Sequence, residues 1–567
     1  MPVIRFVQVS RFRGIRHAVW APCPGINAII GAGDTGKSTL LDAIEMTLAP
    51  RRNMSFSDAD FWSLDVSEPI DIRVTIGDLP DTLLDLDRYG SFQRGWHSIT
   101  GLSDEPTTGS EVVITIRLQV DQDLDPRWCL YSDRADADGQ ARELPSAERQ
   151  RLAPVRLGVL AHHHLAWGNR SVLNKITEAP LGAGSALADA ARQARSAFGD
   201  AAQAQVQDAI TIVRDVANRT GIAAAANATA LLDAHGISFT GGAIALHDGD
   251  GVPLRNLGTG SSRLLIAGVQ AAASNTSPFL LIDEVEHGLE PYRIIRLLHT
   301  LGSKQPASTR QVFLTTHSAV VIRELAARQI WRAGDDGTGQ VILRQAGATS
   351  DEQATLRACA EAFLAPKVIV CEGPTEIGLL RGLDLHWDTQ GYGTFGSYGA
   401  AMADGGGGSM ITRSLCFAAL GYRTCLLRDS DVVFTPQQLG ALAQAGVTEF
   451  FWDAGLSTEQ QLCMSLPDQQ IEQFVQLAVE EQGKDKVEAD LRNRAAHLTV
   501  DHYSAGLGIS VAEREFLGLA AKKGGWFKNI TLGERVGREI LAPNLAACSP
   551  SVTNVINALG NWTAATH

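Results

Sequence analysis

The feature that most constrains this chain is a short glycine-rich segment near its start, over residues 31–38. It reads Gly-Ala-Gly-Asp-Thr-Gly-Lys-Ser and fits the pattern G-x-x-x-x-G-K-(S/T) of a phosphate-binding loop. The glycines let backbone N–H groups wrap a β-phosphate, the lysine reaches the β- and γ-phosphates, and the serine hydroxyl sits on Mg²⁺. Residues 26–30 predict a buried strand before the loop and residues 38–44 a helix after it, as this motif requires. The loop residues predicted to bind ATP are Gly31, Gly33, Asp34, Gly36, Lys37, Ser38 and Thr39, and Ser38 is also a predicted metal ligand.

Length and composition bound the class of protein. The 567 residues exceed one ordinary core and suggest about three or four domains. No apolar run reaches the length of a membrane span and no N-terminal signal pattern occurs, so we expect a cytoplasmic protein with no membrane partner. The eight cysteines include no C-x-x-C pair, which argues against a zinc site and a disulfide framework. Because the formal net charge is −14, a nucleic-acid partner would need a local basic surface or metal ions in an acidic site.

A β-rich lobe and a helical insertion are predicted after the loop. Residues 70–76 and 111–120 alternate in polarity like half-buried strands, whereas residues 84–110 and 132–150 are polar and predicted to be loops. From residue 185 to residue 233 the composition shifts to Ala, Gln and Arg, with apolar residues at helical spacing. This pattern predicts one or two amphipathic helices, which form either a dimerisation arm or a packed helical lid.

Three later segments supply the partners that a phosphate-binding loop needs. Residues 257–263 read Leu-Gly-Thr-Gly-Ser-Ser-Arg and precede an apolar helix, so Ser261 would lie at a helix N-terminus that suits a phosphate. A predicted buried strand ends in Asp283, which would hold Mg²⁺, and Glu284, which would polarise the attacking water. Another buried strand ends near His317, which we expect to be catalytic because it is the fourth motif in order.

The order of these motifs resembles the ABC-type ATPase head of the RecF and SMC group. The resemblance implies that Ser261 grips the γ-phosphate bound by the opposite subunit and that His317 senses the γ-phosphate. It further implies a homodimer or higher homo-oligomer whose heads enclose two ATP molecules. The chain lacks the long heptad segments of an SMC coiled coil, which favours a compact relative.

A second set of acidic residues follows in the last third of the chain. One predicted buried strand ends at Glu372, and Glu376 lies one helical turn further on. Another ends in Asp429 and Asp431, whose side chains point the same way. Four crowded carboxylates repel one another, and such oxygen ligands suit Mg²⁺ or Mn²⁺. Two such ions can activate water and stabilise a leaving 3′ oxygen, so the pattern predicts phosphodiester cleavage with these four residues as metal ligands and Glu372 as catalytic.

This acidic set resembles a Toprim domain, the metal-dependent phosphodiester module of topoisomerases, primases and some nucleases. An ABC-type head followed directly by Toprim is similar to the OLD (overcoming lysogenization defect) family, to which the nuclease subunit of the Gabija anti-phage system belongs. The resemblance implies another metal-binding carboxylate, assigned to Glu459, and a late catalytic lysine, assigned to Lys528 beside an aromatic pair. Lys522 and Lys523 are then expected on the DNA backbone. A role in defence against phage and a separately encoded helicase partner are also implied.

The complete prediction is an α/β chain in four parts. Residues 1–180 and 237–364 form an ABC-type P-loop ATPase head, residues 181–236 a helical dimerisation insertion, and residues 365–567 a Toprim domain with a C-terminal helical part. We expect an ATP-binding, Mg²⁺-dependent endonuclease that nicks or cuts double-stranded DNA, with Mn²⁺ an alternative at the second site. ATP would either license or inhibit cleavage. Two alternatives stay open, namely an ATP-driven DNA clamp that recruits another nuclease, and a nuclease that cuts RNA.

Overall fold

The computed structural model describes residues 1–50, 54–157, 193, 254–272, 277–305, 310–453, 455–503 and 508–565. These residues form a large mixed sheet, a small parallel sheet and the helices around them, which confirms the predicted α/β class. The helical insertion predicted for residues 181–236 lies outside the described residues, apart from residue 193. None of the described helices is both long and apolar enough to cross a membrane.

The described residues contain seventeen strands, some short and fully buried and others longer and half-buried. Strands β1 to β13 belong to the large sheet, and β14 to β17 form the small one. In chain order the strands are β1 (Val3–Phe12), β2 (Ile15–Trp20), β3 (Ile26–Ile30), β4 (Ile70–Gly77), β5 (Gln93–His97), β6 (Gly101–Ser103), β7 (Glu111–Val120), β8 (Pro126–Tyr131), β9 (Val155–Leu157), β10 (Phe279–Ile282), β11 (Gln311–Thr315), β12 (Ile330–Asp335), β13 (Gln340–Gln345), β14 (Lys367–Cys371), β15 (Ala400–Asp404), β16 (Arg423–Arg428) and β17 (Thr448–Phe451).

Helices dominate the C-terminal third of the described chain. In chain order the α-helices are α1 (Lys37–Thr47), α2 (Leu86–Tyr89), α3 (Asp133–Ala137), α4 (Ser146–Leu152), α5 (Thr259–Ala272), α6 (Pro291–Thr300), α7 (Ala319–Glu324), α8 (Ser350–Ala358), α9 (Pro374–Thr389), α10 (Met410–Ala419), α11 (Pro436–Gln444), α12 (Thr458–Ser465), α13 (Asp468–Gln482), α14 (Lys484–Arg492), α15 (Val500–Tyr503), α16 (Val511–Gly524), α17 (Ile530–Arg535), α18 (Ala542–Asn544) and α19 (Pro550–Ala564). A π-helical segment, Val536–Leu541, joins α17 to α18.

The large sheet gathers the ends of three parallel strands at one edge. Strand β11 lies between β3 and β10, and its register pairs Thr315 with Ile29 and Leu314 with Ile282. The carboxyl ends of the three strands therefore lie side by side. In open α/β sheets this edge is where ligands bind, and here it carries the phosphate-binding loop, Asp283 and the segment leading to His317.

The small sheet builds a second such edge. Its order is β15-β14-β16-β17, all parallel, with Cys371 paired to both Asp404 and Leu427. Glu372 and Asp429, the residues that follow β14 and β16, are consequently neighbours at the carboxyl edge.

One hydrophobic core joins the two sheets. Buried Leu314 of the large sheet and Leu426 of the small sheet belong to the same cluster. The same cluster contains Phe363, Phe417 and Tyr422, and the ring centroids of the two phenylalanines are 4.6 Å apart. Since buried apolar side chains are close-packed, the two halves of the molecule share packing as well as the polypeptide chain.

Candidate functional site

The phosphate-binding loop links β3 to α1 through backbone conformations that favour glycine. Gly31 has a φ of +150° and Gly36 a φ of +77°, and a Cβ on Gly31 would lie 2.4 Å from the carbonyl oxygen of Ala333. Asp34 also has a positive φ, 60°. Gly36 is the N-cap of α1, so the free N–H groups of the first helical turn face the loop. The loop and the helix N-terminus together form a cradle suited to phosphate groups.

Lys37 and Ser38 connect this cradle to the end of β10. Lys37 is buried, and its Nζ donates to the carbonyl oxygens of Gly31 at 3.1 Å and Ala32 at 2.6 Å. Burial lowers the pKa of the Lys37 ammonium. Ser38 Oγ donates to Asp283 Oδ1 at 3.0 Å, so two of the predicted ATP-site magnesium ligands are in contact. A hydroxyl and a carboxylate oxygen placed together in this way fit a Mg²⁺ ion.

Two residues that the motifs did not indicate orient the Asp283 carboxylate. Thr315 Oγ1 donates to Asp283 Oδ1 at 2.6 Å and accepts from the backbone N–H of Glu284 at 2.8 Å. Arg156 donates to Asp283 Oδ2 at 3.0 Å and pairs with Glu45 at 2.9 Å. The Thr-Thr pair before His317 was the available sequence signal for Thr315, whereas β9 is too short for its Arg156 to stand out.

Arg263 fixes the backbone around Glu284. The Glu284 carboxylate is exposed on a residue with a φ of 46°, a conformation unusual for a side chain that is not glycine. Arg263 is 1% exposed, and its guanidinium donates to the carbonyl oxygens of Asp283 at 2.9 Å and of Glu284 and His287 at 3.0 Å. Helix α5, which begins within residues 257–263 and carries Arg263, thereby holds the loop that carries the predicted water-activating carboxylate.

His317 and Ser261 lie in separate hydrogen-bond networks. The His317 side chain is exposed, and its backbone N–H donates to Glu286 at 2.6 Å, while Thr316 donates to the same carboxylate at 2.7 Å. Ser261 Oγ accepts from Arg293 at 3.0 Å. Among the hydrogen bonds of the described residues, neither Ser261 nor His317 contacts the phosphate-binding loop.

A second cluster lies at the carboxyl edge of the small sheet. Carboxylate oxygens of Glu372, Asp429 and Asp431 lie within 4.8 Å of one another. The backbone N–H of Asp429 donates to Glu372 Oε2 at 2.8 Å, and this hydrogen bond holds the two acidic residues next to each other. A donor set made only of oxygens at this spacing fits a hard divalent cation such as Mg²⁺ or Mn²⁺.

Glu376 and Glu459 lie behind this cluster and are each 5% exposed. Glu376 Oε2 accepts from the backbone N–H of Gly373 at 2.9 Å, and its Oε1 lies 2.7 Å from Thr458 Oγ1. Glu459 accepts from Ser457 Oγ at 3.0 Å. The structure therefore gathers three of the predicted metal ligands, of which Glu372 and Asp429 are half-buried and Asp431 is exposed, and it buries the other two, Glu376 and Glu459.

Glu372 and Asp429 of this cluster, and Glu376 behind it, are held in surroundings that disfavour ionisation. Burial is the largest cause and raises the pKa of Glu372, Glu376 and Asp429, and neighbouring carboxylates raise all three further. Clustered perturbed carboxylates of this kind are typical of functional sites. A bound cation would offset both effects, because its positive charge favours the ionised form of the carboxylates.

The lysine that reaches the cluster is Lys522, whereas Lys528 was the expected one. Lys522 Nζ forms an ion pair with Asp431. Lys528 is exposed and forms no ion pair with these carboxylates in the part of the chain that the structure describes. The physical reason is that α16 carries Lys522 in its last turn, whereas the chain reverses at Gly525, with φ +64°, before Lys528.

Comparisons with known proteins bear mainly on the first site. A family model described as "AAA domain, putative AbiEii toxin, Type IV TA system" matches residues 26–323, more than half of the 567 residues. No curated protein matches the chain. One similar solved structure is an Smc head domain with an extended coiled coil, derived from Pyrococcus furiosus and bound to the C-terminal domain of ScpA. It is 15% identical to this chain, and the alignment covers 61% of this chain and 97% of that chain with a TM-score of 0.32. The SMC head domain from Thermotoga maritima is 13% identical over 60% of this chain and 98% of that chain, with a TM-score of 0.29.

Proposed function

This chain belongs to the AAA-domain family described as a putative AbiEii toxin, and from that premise we propose that it is a nucleotide-regulated, divalent-metal-dependent DNA endonuclease. The AAA-type half would bind ATP and Mg²⁺. The half built on β14 to β17 would cut phosphodiester bonds. The two activities would belong to the carboxyl edges of two sheets in one chain.

The observation that carries the nuclease proposal is the group formed by Glu372, Asp429 and Asp431. It follows two adjacent parallel strands, has only oxygen donors, and has Lys522 paired to its outer member. A divalent cation bound there would supply water activation and stabilisation of the leaving oxygen. Glu372 and Asp429 would hold the cation on the protein side, and Lys522 would face the negative charge that grows on the phosphoryl group.

The small parallel sheet with its acidic edge supports a Toprim-type domain, and the order of the two halves supports an OLD-type enzyme. We infer double-stranded DNA as the substrate and a homodimer or higher homo-oligomer as the working form. A role in defence against phage, with a separately encoded helicase, completes the proposal. The net charge of −14 places DNA contact at local cations and bound metal rather than at a broad basic face.

At the first site the described residues fit ATP with Mg²⁺. Lys37 would meet the β- and γ-phosphates, while Ser38 and Asp283, 3.0 Å apart, would hold the cation. Glu284 would orient water at the γ-phosphate, and His317 would report the loss of that phosphate. Arg263 and Thr315 would keep Glu284 and Asp283 in place through the bonds described above.

Cleavage of supercoiled plasmid DNA and of RNA with the same sequence tests this function. The pure protein is incubated with Mg²⁺ or Mn²⁺, beside Glu372→Gln as the inactive variant and Glu515→Gln as an exposed control. We expect nicked or linear DNA with the wild type and the control, and none with Glu372→Gln. ATP-dependent DNA binding without any metal-dependent cleavage would favour the DNA clamp, and faster cleavage of the RNA would favour an RNA nuclease.

A further inference from the structure

Thr458 occupies a junction between three elements of the second site. It is the first residue of α12, is fully buried, and follows the N-cap Ser457. Its backbone N–H donates to Asp429 Oδ1 at 2.9 Å. Asp429 therefore rests on the N-terminal turn of α12, although it is carried by the end of β16.

The Thr458 hydroxyl touches two carboxylates from different elements. Its Oγ1 lies 2.7 Å from Glu376 Oε1, on α9, and 2.8 Å from Asp429 Oδ1. Both distances lie in the range of O–H···O hydrogen bonds, and the one hydroxyl proton is shared between the two carboxyl groups. The single hydroxyl is thus the polar link between the buried acid and a member of the three-carboxylate group.

Trp452 orients this hydroxyl. The indole is 1% exposed, and its Nε1–H donates to Thr458 Oγ1 at 2.7 Å. An indole N–H is only ever a donor, so it occupies one lone pair of the hydroxyl. The hydroxyl proton is consequently left for the carboxylates, and it cannot turn away toward Trp452.

We propose that Thr458, held by Trp452, is a positioning residue that fixes Asp429 and Glu376 for binding of the divalent cation. The inference rests on the proposed function and adds to it a residue that is neither an acid nor a ligand. Without the hydroxyl, the two carboxyl groups would lose their shared hydrogen-bond partner and would no longer be fixed relative to each other. The metal affinity of the second site would then fall although every acidic residue remains. Loss of such an indirect partner typically lowers metal affinity by about 10- to 100-fold.

Binding of Mn²⁺ to the full chain without nucleotide tests this proposal by electron paramagnetic resonance of the free ion. The variants are Thr458→Val, which keeps the shape, and Thr458→Ser, which keeps the hydroxyl. Thr563→Val is the matched control, because Thr563 is also fully buried in the C-terminal part and its hydroxyl donates to the carbonyl oxygens of Leu559 and Gly560 in its own helix rather than to a carboxylate. Binding that persists in Asp429→Asn is counted as background from other sites.

We expect Thr458→Val to bind Mn²⁺ about 10- to 100-fold more weakly than the wild type, with Thr458→Ser and Thr563→Val within about threefold of it. Equal affinity in the wild type and Thr458→Val, or equal losses in Thr458→Ser and Thr458→Val, would overturn the positioning role. Should Thr458→Val fail to fold, Trp452→Phe takes its place. We expect this variant to bind Mn²⁺ about threefold or more weakly than the wild type, and an unchanged affinity would overturn the proposal. If the wild type itself binds no Mn²⁺ above the Asp429→Asn background, the proposed function fails, and that result is distinct from the failure of this inference alone.

Discussion

Glu376 and Asp429 are acids that the fold holds against ionisation, and this has a consequence for stability. Burial and neighbouring carboxylates raise the pKa of Glu376 to about 7 and that of Asp429 to about 8. In the unfolded chain both would ionise near pH 4. Between the unfolded pKa near 4 and the folded pKa values of about 7 and 8, the folded protein therefore binds more protons than the unfolded chain. Its free energy of unfolding consequently falls as the pH rises through this range.

Glu376→Gln should relieve this loss. The amide cannot ionise and keeps the size of the side chain, so in a metal chelator at about pH 8 we predict a higher Tm for the variant than for the wild type. Near pH 5 the difference should shrink, because the wild-type carboxyls are then protonated. Thermal unfolding followed by circular dichroism measures both values, with exposed Glu515→Gln as the control. A difference in Tm that does not change between the two pH values would contradict the account.

The two lysines near the second site should differ sharply in their effect on cleavage. Lys522 is paired with Asp431, whereas Lys528 is exposed. We predict that Lys522→Met lowers the cleavage rate by about 100-fold or more, the usual cost of losing a group that stabilises transition-state charge. Lys528→Met and Lys523→Met should stay within a few-fold of the wild type. Plasmid cleavage rates of the three variants at saturating Mg²⁺ test this prediction. A larger loss of rate in Lys528→Met than in Lys522→Met would make Lys528 the catalytic lysine.

Motif spacing predicted the position of a residue well where a strand delivers it directly. Glu372 and Asp429 each follow a buried strand, and their meeting at one edge could be inferred from the parallel order. Lys522 and Thr458 depend instead on how α16 and α12 pack against that edge. Helix packing of this kind is set by tertiary contacts far apart in the sequence, so periodicity alone does not fix which side chain points at the site.

At the scale of elements, the loop after β10 depends on one arginine of α5. Arg263→Met would leave the carbonyl oxygens of Asp283, Glu284 and His287 without this donor, at a cost of about 1–3 kcal/mol for each buried group left unsatisfied. We predict a lower Tm and ATP hydrolysis reduced by at least about tenfold, because the Glu284 backbone loses its anchor. Arg296→Met, on the exposed face of α6, is the matched control. Unchanged hydrolysis by Arg263→Met would show that the loop holds its shape without the guanidinium.

Which elements could be predicted follows from their composition. Strands β3, β10, β11, β14 and β16 each contain a run of three or four apolar residues and are buried along all or nearly all of their length, and the sequence indicates each of them. Strand β15 consists of Ala-Ala-Met-Ala-Asp before a glycine run, and β5 of Gln-Arg-Gly-Trp-His. Both segments have weak strand propensity, and β5 lies within residues 84–110, which were expected to be a loop, yet pairing with their neighbours makes both segments strands.

At the scale of the whole molecule, the shared core should make the two halves unfold together. Phe363 is fully buried between the sheets, with its ring centroid 4.6 Å from that of Phe417 and 5.9 Å from that of Tyr422. We predict that Phe363→Ala costs about 3–5 kcal/mol and lowers the Tm of a single cooperative calorimetric transition. Two separate transitions, of which only one moves in the variant, would show that the halves fold independently.

The same packing gives nucleotide binding a physical route to the second site. Strand β11 ends beside Asp283, and its buried Leu314 lies in the core cluster that also contains Val370 and Leu426 of the small sheet. The strand that ends at the ATP edge of the large sheet therefore shares one packed core with the strands that lead to Glu372 and Asp429, and a structural change at the ATP edge can reach those strands through this core. We infer from this arrangement that nucleotide binding at the first site changes the rate of cleavage at the second site, so that the two sites do not act independently.

The most direct test of this two-site account is plasmid cleavage measured against ATP concentration in Mg²⁺, for the wild type, Lys37→Ala and Asp429→Ala. We expect ATP to change the cleavage rate of the wild type, Asp429→Ala to cut at no ATP concentration, and Lys37→Ala to cut at a rate that ATP does not alter. Cleavage by Asp429→Ala at the wild-type rate, or an ATP response that survives in Lys37→Ala, would contradict it.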